Sequence, residues 1–587
     1  MTDPSNDSTG ISAKAGDVAH AGLVRQLGQM LRALRASPVG KVLLWLAVGI
    51  VVVVAITAYG QIRLNAWNKN FFDALARRDF GDFMFQLGVF GVIAGVILVL
   101  NVAQRWLVET LKLRLREGLV HDLVGHWMMP RRAFWLAHAG PMGVNPDQRM
   151  HDDARSLCDM SADLAVGLLQ ASILFASFAG ILWMLSADFS VRIGGADYPI
   201  PGFMLWAAIL YAAAGSALSY WVGRNLIHRN AERYAREGEL RFSLVRINEH
   251  LDGISLAAGE ADERRRVQID LAQVLAATAR LIMGHTHLTW VTSGFGWITT
   301  VAPIMVAAPL FFSGKISFGG VMAAAAAFTQ AQSSLRWFVD NFSVIADWRA
   351  ILLRVAGFRQ ALTANETSSD SGKRITYVEG EPGRLMIEDL EVESPAGRDK
   401  LDEKKLVVQS GERVLIVGAP GTGTTPLFRA LAGLWPWGAG RVAHPAGEPI
   451  FYVPRGTPYL PRGSLREVLA YPLDVAGFKE SAFAHALARM NLERLLPLLD
   501  VNHRWDRELS LDEQLSLAFA RIVLQVPPWV LIDDAFVALD DETFRRVMDI
   551  FADELRHSGI VHIGRAVEGR DPMFSRVLHL VKAEGAP

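Results

Sequence analysis

A single cysteine, Cys158, leaves no internal disulfide and no thiolate metal centre to consider. Charge of one sign is not in excess either: 59 Lys and Arg stand against 60 Asp and Glu, which excludes a general polyanion binder and, with it, nucleic acid as a partner. Residues 1–23 begin MTDPSNDSTGISAKAGDVAH, without the basic start and apolar middle of a signal peptide, and read as a disordered cytoplasmic tail. The histidines show no metal-binding spacing, and His562 reads as an ordinary strand residue.

What is present is apolar surface, 51% of all residues with a mean hydropathy of +0.22, which points to a membrane. Crossing about 30 Å of hydrocarbon takes roughly 20 mainly apolar residues in a helix. Six stretches qualify, near 42–60, 83–103, 164–185, 202–223, 288–312 and 318–337, the last being Ala-rich with Gln330 and Gln332. No Asp, Glu, Lys or Arg lies in their middle, which weighs against a midspan proton relay and leaves only Asp82 and Asp163 at span edges. The intramembrane polar residues Asn101, Gln170, Thr292, Gln330 and Gln332 read chiefly as helix-to-helix glue.

Lys and Arg set the orientation, because cationic connections stay in the cytoplasm. Residues 104–163 carry eight and 224–286 carry ten, while 186–201 and 313–317 carry one each. The long basic connections and both termini are therefore expected in the cytoplasm; residues 61–82, with Arg63, Lys69, Arg77 and Arg78, are an exception to the rule. Connections of that length with helical periodicity predict spans that continue as rods beyond the bilayer. Ahead of the first span, Val24, Leu27, Leu31 and Leu34 share a face opposite Arg25, Arg32 and Arg35, which fits a helix lying on an anionic lipid surface or one packed on protein.

The permease half is expected over 24–360. Residues 361–382 turn to Ser, Gly, Glu and Asp and read as a linker, and 383–587 as a second domain. Its landmark is the apolar run Val414 to Val417, then Gly418, Gly421, Gly423, Thr424 and Thr425, then a helical pattern. Strand, glycine loop and helix in that order make a phosphate cradle of backbone N–H groups, although Thr424 stands where such loops carry lysine. Val530 to Asp533 is a buried strand ending in the carboxylate that, with Thr425, would hold magnesium. Ser510 to Gln514 opens a helix upstream of it, and Ala538-Leu539-Asp540 follows it.

With these pieces in order, the chain resembles an ABC transporter half, permease fused to ATPase, and is most similar to the SbmA/BacA-like fused family, relatives of the peroxisomal fatty-acyl half-transporters. The stretches carrying the likeness are LNAWNKNFFDAL (64–75), NPDQRM (145–150), LAGLWPWGAG (431–440), PYLPRGSLREVLAYP (458–472) and LSLDEQLSLAFARIVL (509–524). The resemblance implies an all-α six-helix exporter-type membrane domain joined to an α/β P-loop nucleotide-binding domain. It implies ATP and magnesium as ligands, a homodimer or heterodimer in a bacterial inner membrane, and each nucleotide clamped between one copy's P-loop and the other's signature loop. NPDQRM by itself reads as a polar turn that restarts a helix; by resemblance it lies where permease and motor meet.

Against that family several clamp positions are altered. Thr424 replaces the P-loop lysine, Asp512 replaces the signature glycine beside Ser510, and Asp534 replaces the catalytic glutamate. Arg565 replaces the switch histidine, and Arg455 stands near the usual glutamine in a segment one residue longer. Either arginine could return a cation to the phosphates. The expectation is an ABC-type transporter of a peptide-like, amphipathic or acyl substrate with weakened or absent ATP hydrolysis. The alternatives are a fully ATP-driven transporter, a proton-coupled carrier with a vestigial motor, and a regulatory subunit that transports nothing.

Overall fold

A computed structural model describes residues 38–137, 145–186, 190–193, 196–363, 374–394, 397–418, 422–564 and 573–583, with a few positions between 28 and 35. The chain divides into two compact units between residues 364 and 365.

In the first unit, five helices among the described residues are long and apolar enough to cross a membrane: α1 (Gly40–Arg77), α2 (Phe80–Trp127), α3 (Pro146–Leu185), α4 (Phe203–Glu249) and α5 (Glu260–Phe312). At 1.5 Å per residue α2 and α5 are about 70 to 80 Å long, more than twice a hydrocarbon core, so they are rods of the kind the basic periodic connections predict. The sixth expected stretch is a helix, α6 (Phe318–Asp340), but it does not meet the same measure. Its alanines make it a packing element: Val321, Ala324, Ala327, Phe328 and Ala331 are buried with Leu174, Phe178, Met204, Ala208 and Leu310 from α3, α4 and α5.

The motif at 64–75 builds the start of α6. The Trp67 indole N–H donates to the Gln86 carbonyl (2.8 Å), tying α1 to α2. Asp73 accepts the Gly319 N–H (2.8 Å) and the Ser317 hydroxyl (2.9 Å), while Ser317 caps Gly320. Of the five polar residues expected as glue, Gln170 is used that way, its Oε1 accepting from Gln104 Nε2 (3.2 Å) between α2 and α3, whereas Asn101 is exposed and Thr292 bonds the Thr289 carbonyl of its own helix.

The NPDQRM stretch does restart a helix. Asn145 is left-handed (φ 51°) and Pro146 takes the first helical position. A π-helical turn, Arg149–Asp153, then carries buried Asp153 to a two-pronged pair with Arg354 (2.9 Å each) on α7 (Phe342–Thr363). Asp122 of α2 holds Arg359 of α7 in the same manner. Of the segment before α1, Met30 is buried against Leu119 and Leu123 while Arg32 and Arg35 are exposed. Val24, Arg25, Leu27, Leu31 and Leu34 lie outside the described residues, as do residues 1–23.

Of the stretch read as a linker, 361–382, the described residues are 361–363 and 374–382. α7 runs to Thr363, and Thr376–Gly380 forms strand β1, because Tyr377 and its neighbours find a parallel partner in Gly438–Pro445. The second unit has ten strands in one sheet: β1, β2 (Arg384–Ser394), β3 (Gly397–Leu401), β4 (Lys405–Gln409), β5 (Arg413–Gly418), β6 (Gly438–Pro445), β7 (Ile450–Val453), β8 (Trp529–Asp533), β9 (Gly559–Gly564) and β10 (Arg576–Lys582). Their order is β1-β6-β2-β3-β10-β5-β9-β8-β7, with β4 also on β2. β10, β5, β9, β8 and β7 run parallel; β8 and β9, buried along their whole length, and the buried run Val414–Ile416 of β5 suit strands covered on both faces, whereas β10 lies at the margin of this parallel set with alternate residues exposed. Helices α8 (Thr424–Leu431), α9 (Leu465–Ala470), α10 (Glu480–Arg489), α11 (Leu511–Gln525) and α12 (Asp541–Ala552) complete the unit. Only β9 separates β5 from β8, so the loop after β5 and the acidic end of β8 lie together at the carboxyl edge, where open parallel sheets bind ligands.

Candidate functional site

Gly418 lies close to the start of α8: a Cβ there would come within 2.5 Å of Thr422 Oγ1 and 2.6 Å of Thr424 Cγ2, so a side chain at 418 would require both threonine side chains to move. Two of the amides expected to face phosphate are already bonded within the chain: Thr424 N–H to the Thr422 carbonyl (2.9 Å) and Gly423 N–H to Asp399 Oδ2 (3.0 Å). Gly421 lies outside the described residues, as does Arg565. The reading of the sequence did not find Asp399. Its only signal was local: in β3 the inward positions are 399 and 401, and an aspartate fills the first.

At the end of β8, Thr425 Oγ1 donates to Asp533 Oδ2 (3.3 Å), bringing together the two residues expected to hold magnesium. Asp533 is buried, and its other oxygen has no hydrogen-bond partner among the described residues. Burial pushes the Asp533 carboxyl upward, opposed by the Thr425 hydroxyl and by Arg455. A threonine hydroxyl and a carboxylate with one oxygen unspent match the hard oxygen donors magnesium takes, since it completes its shell with water and substrate phosphates. Thr425 and Asp533 would hold the ion, and it would supply charge neutralisation at the phosphates.

Asp534 is buried and sits in a left-handed conformation (φ 48°), its N–H donating to the Ile563 carbonyl (2.8 Å). One carboxylate oxygen is 3.0 Å from an Arg455 guanidinium nitrogen. Arg455, expected as a replacement cation for phosphate, is thus already paired with the Asp534 carboxylate.

Ser510 and Asp512 open α11. Ser510 is spent on a reciprocal cap with Glu513, its hydroxyl accepting the Glu513 N–H, and Asp512 stands exposed beside it. Within one chain no hydrogen bond or ion pair among the described residues joins them to the glycine loop. α11 is locked to the segment after Arg455 by buried Arg521 and half-buried Gln525, whose roles the sequence did not reveal. Arg521 donates to the Val468 carbonyl (2.7 Å) and the Tyr459 carbonyl (2.9 Å), and burial lowers its pKa to about 10. Gln525 donates to the carbonyls of Ala470 (3.1 Å) and Tyr471 (3.0 Å).

A strand, glycine loop and helix beside a Thr–Asp pair on a parallel sheet, preceded by long membrane-crossing helices, defines a membrane protein fused to a P-loop nucleotide domain. The family described as ABC transporter transmembrane region 2 matches residues 30–312, and that described as ABC transporter matches residues 401–537. The chain therefore belongs to the ABC half-transporters, membrane region and nucleotide-binding domain in one polypeptide. Such a domain binds ATP, typically with magnesium, and half-transporters of this kind typically dimerise. Among similar proteins is the inner membrane ABC transporter ATP-binding protein YddA of Escherichia coli, 26% identical over 508 residues, covering 86% of this chain and 88% of that one. The chloroplastic ABC transporter D family member 2 of Arabidopsis thaliana is 26% identical over 551 residues, covering 82% of this chain and 76% of that one. A solved bacterial Atm1-family ABC exporter with ATP bound shares the fold, with a TM-score of 0.71 at 17% identity over 92% of this chain and 96% of that one.

Proposed function

We propose that the chain is one half of a dimeric transporter in a bacterial inner membrane, with both termini in the cytoplasm, that binds magnesium and ATP and hydrolyses ATP slowly or not at all. Its cargo class is a peptide-like, amphipathic or acyl molecule. The inner-membrane assignment follows the name of the Escherichia coli relative, and the orientation follows the basic connections. The cargo class follows the likeness to the SbmA/BacA-like and fatty-acyl half-transporters.

The observation that carries the reading is the Arg455 to Asp534 pair. A carboxylate that must orient or deprotonate water is here engaged by a guanidinium, one methylene short of a glutamate, and a displacement near 1 Å can cost about a hundredfold in rate. Thr424 adds to this. A charge-assisted hydrogen bond contributes about 1.5 to 3 kcal/mol, so losing the lysine weakens nucleotide binding by roughly ten- to a hundredfold. Asp512 sets a carboxylate where the partner's nucleotide would approach a glycine backbone. The test is nucleotide binding measured beside phosphate release, on the wild type and on the Thr424→Lys, Asp512→Gly, Asp534→Glu variant. Binding with little turnover in the wild type and a gain of turnover in the variant supports the reading; brisk release by the wild type overturns it.

The intact Thr425 to Asp533 pair favours a second reading, a fully ATP-driven transporter. Vanadate-sensitive hydrolysis by the wild type, lost on Asp533→Asn, would establish it.

A further inference from the structure

Asp399 belongs to no motif that the family likeness supplied, yet it is fully buried and its carboxylate reaches the nucleotide loop. It sits on β3, opposite Val392 of β2 and opposite Lys582 of β10 in register. One oxygen accepts the Gly423 N–H at 3.0 Å, and the other lies 3.4 Å from Lys582 Nζ. A methyl group on Gly423 would lie 2.8 Å from Asp399 Oδ2, so this glycine lets the carboxylate come up against the loop. Gly423 immediately precedes α8, so its N–H belongs to the set that a P-loop turns toward phosphate.

A phosphate oxygen and the Asp399 carboxylate thus compete for one donor, and both are anions. The ligand must displace the carboxylate from Gly423 or accept one hydrogen bond fewer, and in either case it meets a buried negative charge. Lys582 offsets part of that charge from the side away from the loop. A loop that kept its lysine would have a cation to outweigh such a neighbour; here Thr424 offers none. Magnesium supplies positive charge with the nucleotide, so the same arrangement favours the metal complex over free nucleotide.

We propose that Asp399 is an internal anion that occupies the phosphate cradle of the empty loop and sets both the affinity and the magnesium dependence of nucleotide binding. This rests on the reading that the loop binds ATP, but not on how fast ATP is split.

The experiment is titration of the full-length protein in lipid nanodiscs with trinitrophenyl-ATP, with magnesium and with EDTA, for the wild type, Asp399→Asn and Asp399→Ser. Asn preserves the shape and removes the charge, and the smaller Ser guards against a fold defect peculiar to Asn. Returning one amide to the phosphate and removing one like charge tightens binding by about ten- to a hundredfold. The gain is largest in EDTA, which shrinks the difference between metal-bound and free nucleotide. Hydrogen exchange of the peptide spanning 418–428 gives a readout independent of ligand: without nucleotide it quickens most in Asp399→Ser, which withdraws the acceptor from Gly423, and less in Asp399→Asn, whose amide oxygen still accepts that N–H but without the charge. Unchanged or weaker affinity in the two variants, or no detectable binding by any of the proteins, overturns the proposal. Rapid phosphate release by the wild type overturns the proposed slow turnover and leaves this inference standing if the variants bind more tightly.

Discussion

Asp534 is held in a left-handed backbone that non-glycine residues adopt at a cost of about 1 kcal/mol, though Asn and Asp pay least there. A side chain that tolerates that conformation and meets a guanidinium is suited to staying in place. Restoring glutamate alone should therefore not restore chemistry, because Arg455 would still engage it. On the Thr424→Lys, Asp512→Gly, Asp534→Glu background, adding Arg455→Gln should raise phosphate release about two- to fivefold further, the size expected for freeing a half-exposed ion pair. No further rise would show that Arg455 does not restrain the carboxylate. His562 gives a separate residue-scale prediction. It is buried between Phe536 and Phe574, both ring nitrogens lack hydrogen-bond partners among the described residues, and burial lowers its pKa to about 4. The unfolded chain takes up the proton near pH 6.5 and the folded one only near 4, so stability falls as pH drops through that window, by up to about 3 kcal/mol. His562→Phe should be close to neutral at pH 7 and should flatten the fall in unfolding temperature between pH 6.5 and 4. His562 lies in strand β9, as its apolar neighbours predict, but its isolation is invisible in the sequence because it depends on two phenylalanines from other parts of the chain.

At the level of elements, what was legible was whatever repeats along the chain. Apolar length revealed the five spanning helices, and periodicity beyond them announced the rods. The glycine loop and the carboxylate after an apolar strand could be read because each is a short run with fixed spacing, and Thr425 and Asp533 do meet. Contacts between distant runs were not legible: Asp399 on Gly423, Arg455 on Asp534, and Arg521 on the carbonyls ahead of and within α9. α6 shows the same limit. Its alanines resemble a modest membrane span by composition, and the residues that pack on it come from distant runs of the chain. Gly319 at its start is in such close contact with α1 that a Cβ would lie 2.0 Å from the Lys69 carbonyl oxygen. Gly319→Ala should cost more than about 2 kcal/mol by forcing α1 and α6 apart. Asp73→Ala should cost about 1 to 2 kcal/mol, since it strips acceptors from the first turn of α6 without a clash. Thermal unfolding of the two variants in the same detergent checks the order; equal losses would mean that the close approach is not what fixes α6.

For the whole molecule the question is whether two copies close on a nucleotide at all. In a homodimer both composite sites contain the same Thr424, Asp534 and Asp512, so no intact half compensates for the other. Asp512 is exposed at the mouth of α11, free to face a partner's phosphates, and two such negative groups a few ångströms apart repel by roughly 1 to 4 kcal/mol depending on how much water remains between them. Cys158 is the sole cysteine and is buried, which makes introduced cysteines selective reporters. With Thr422→Cys beside the glycine loop and Leu511→Cys at the exposed start of α11, oxidation should give a cross-linked dimer weakly with magnesium and ATP. Adding Asp512→Gly should strengthen it several-fold, because the repulsive carboxylate is gone while both cysteines remain. Strong cross-linking before that change would mean that Asp512 is tolerated in a closed pair; none after it would mean that these two surfaces never meet, and that the copies associate through some other face.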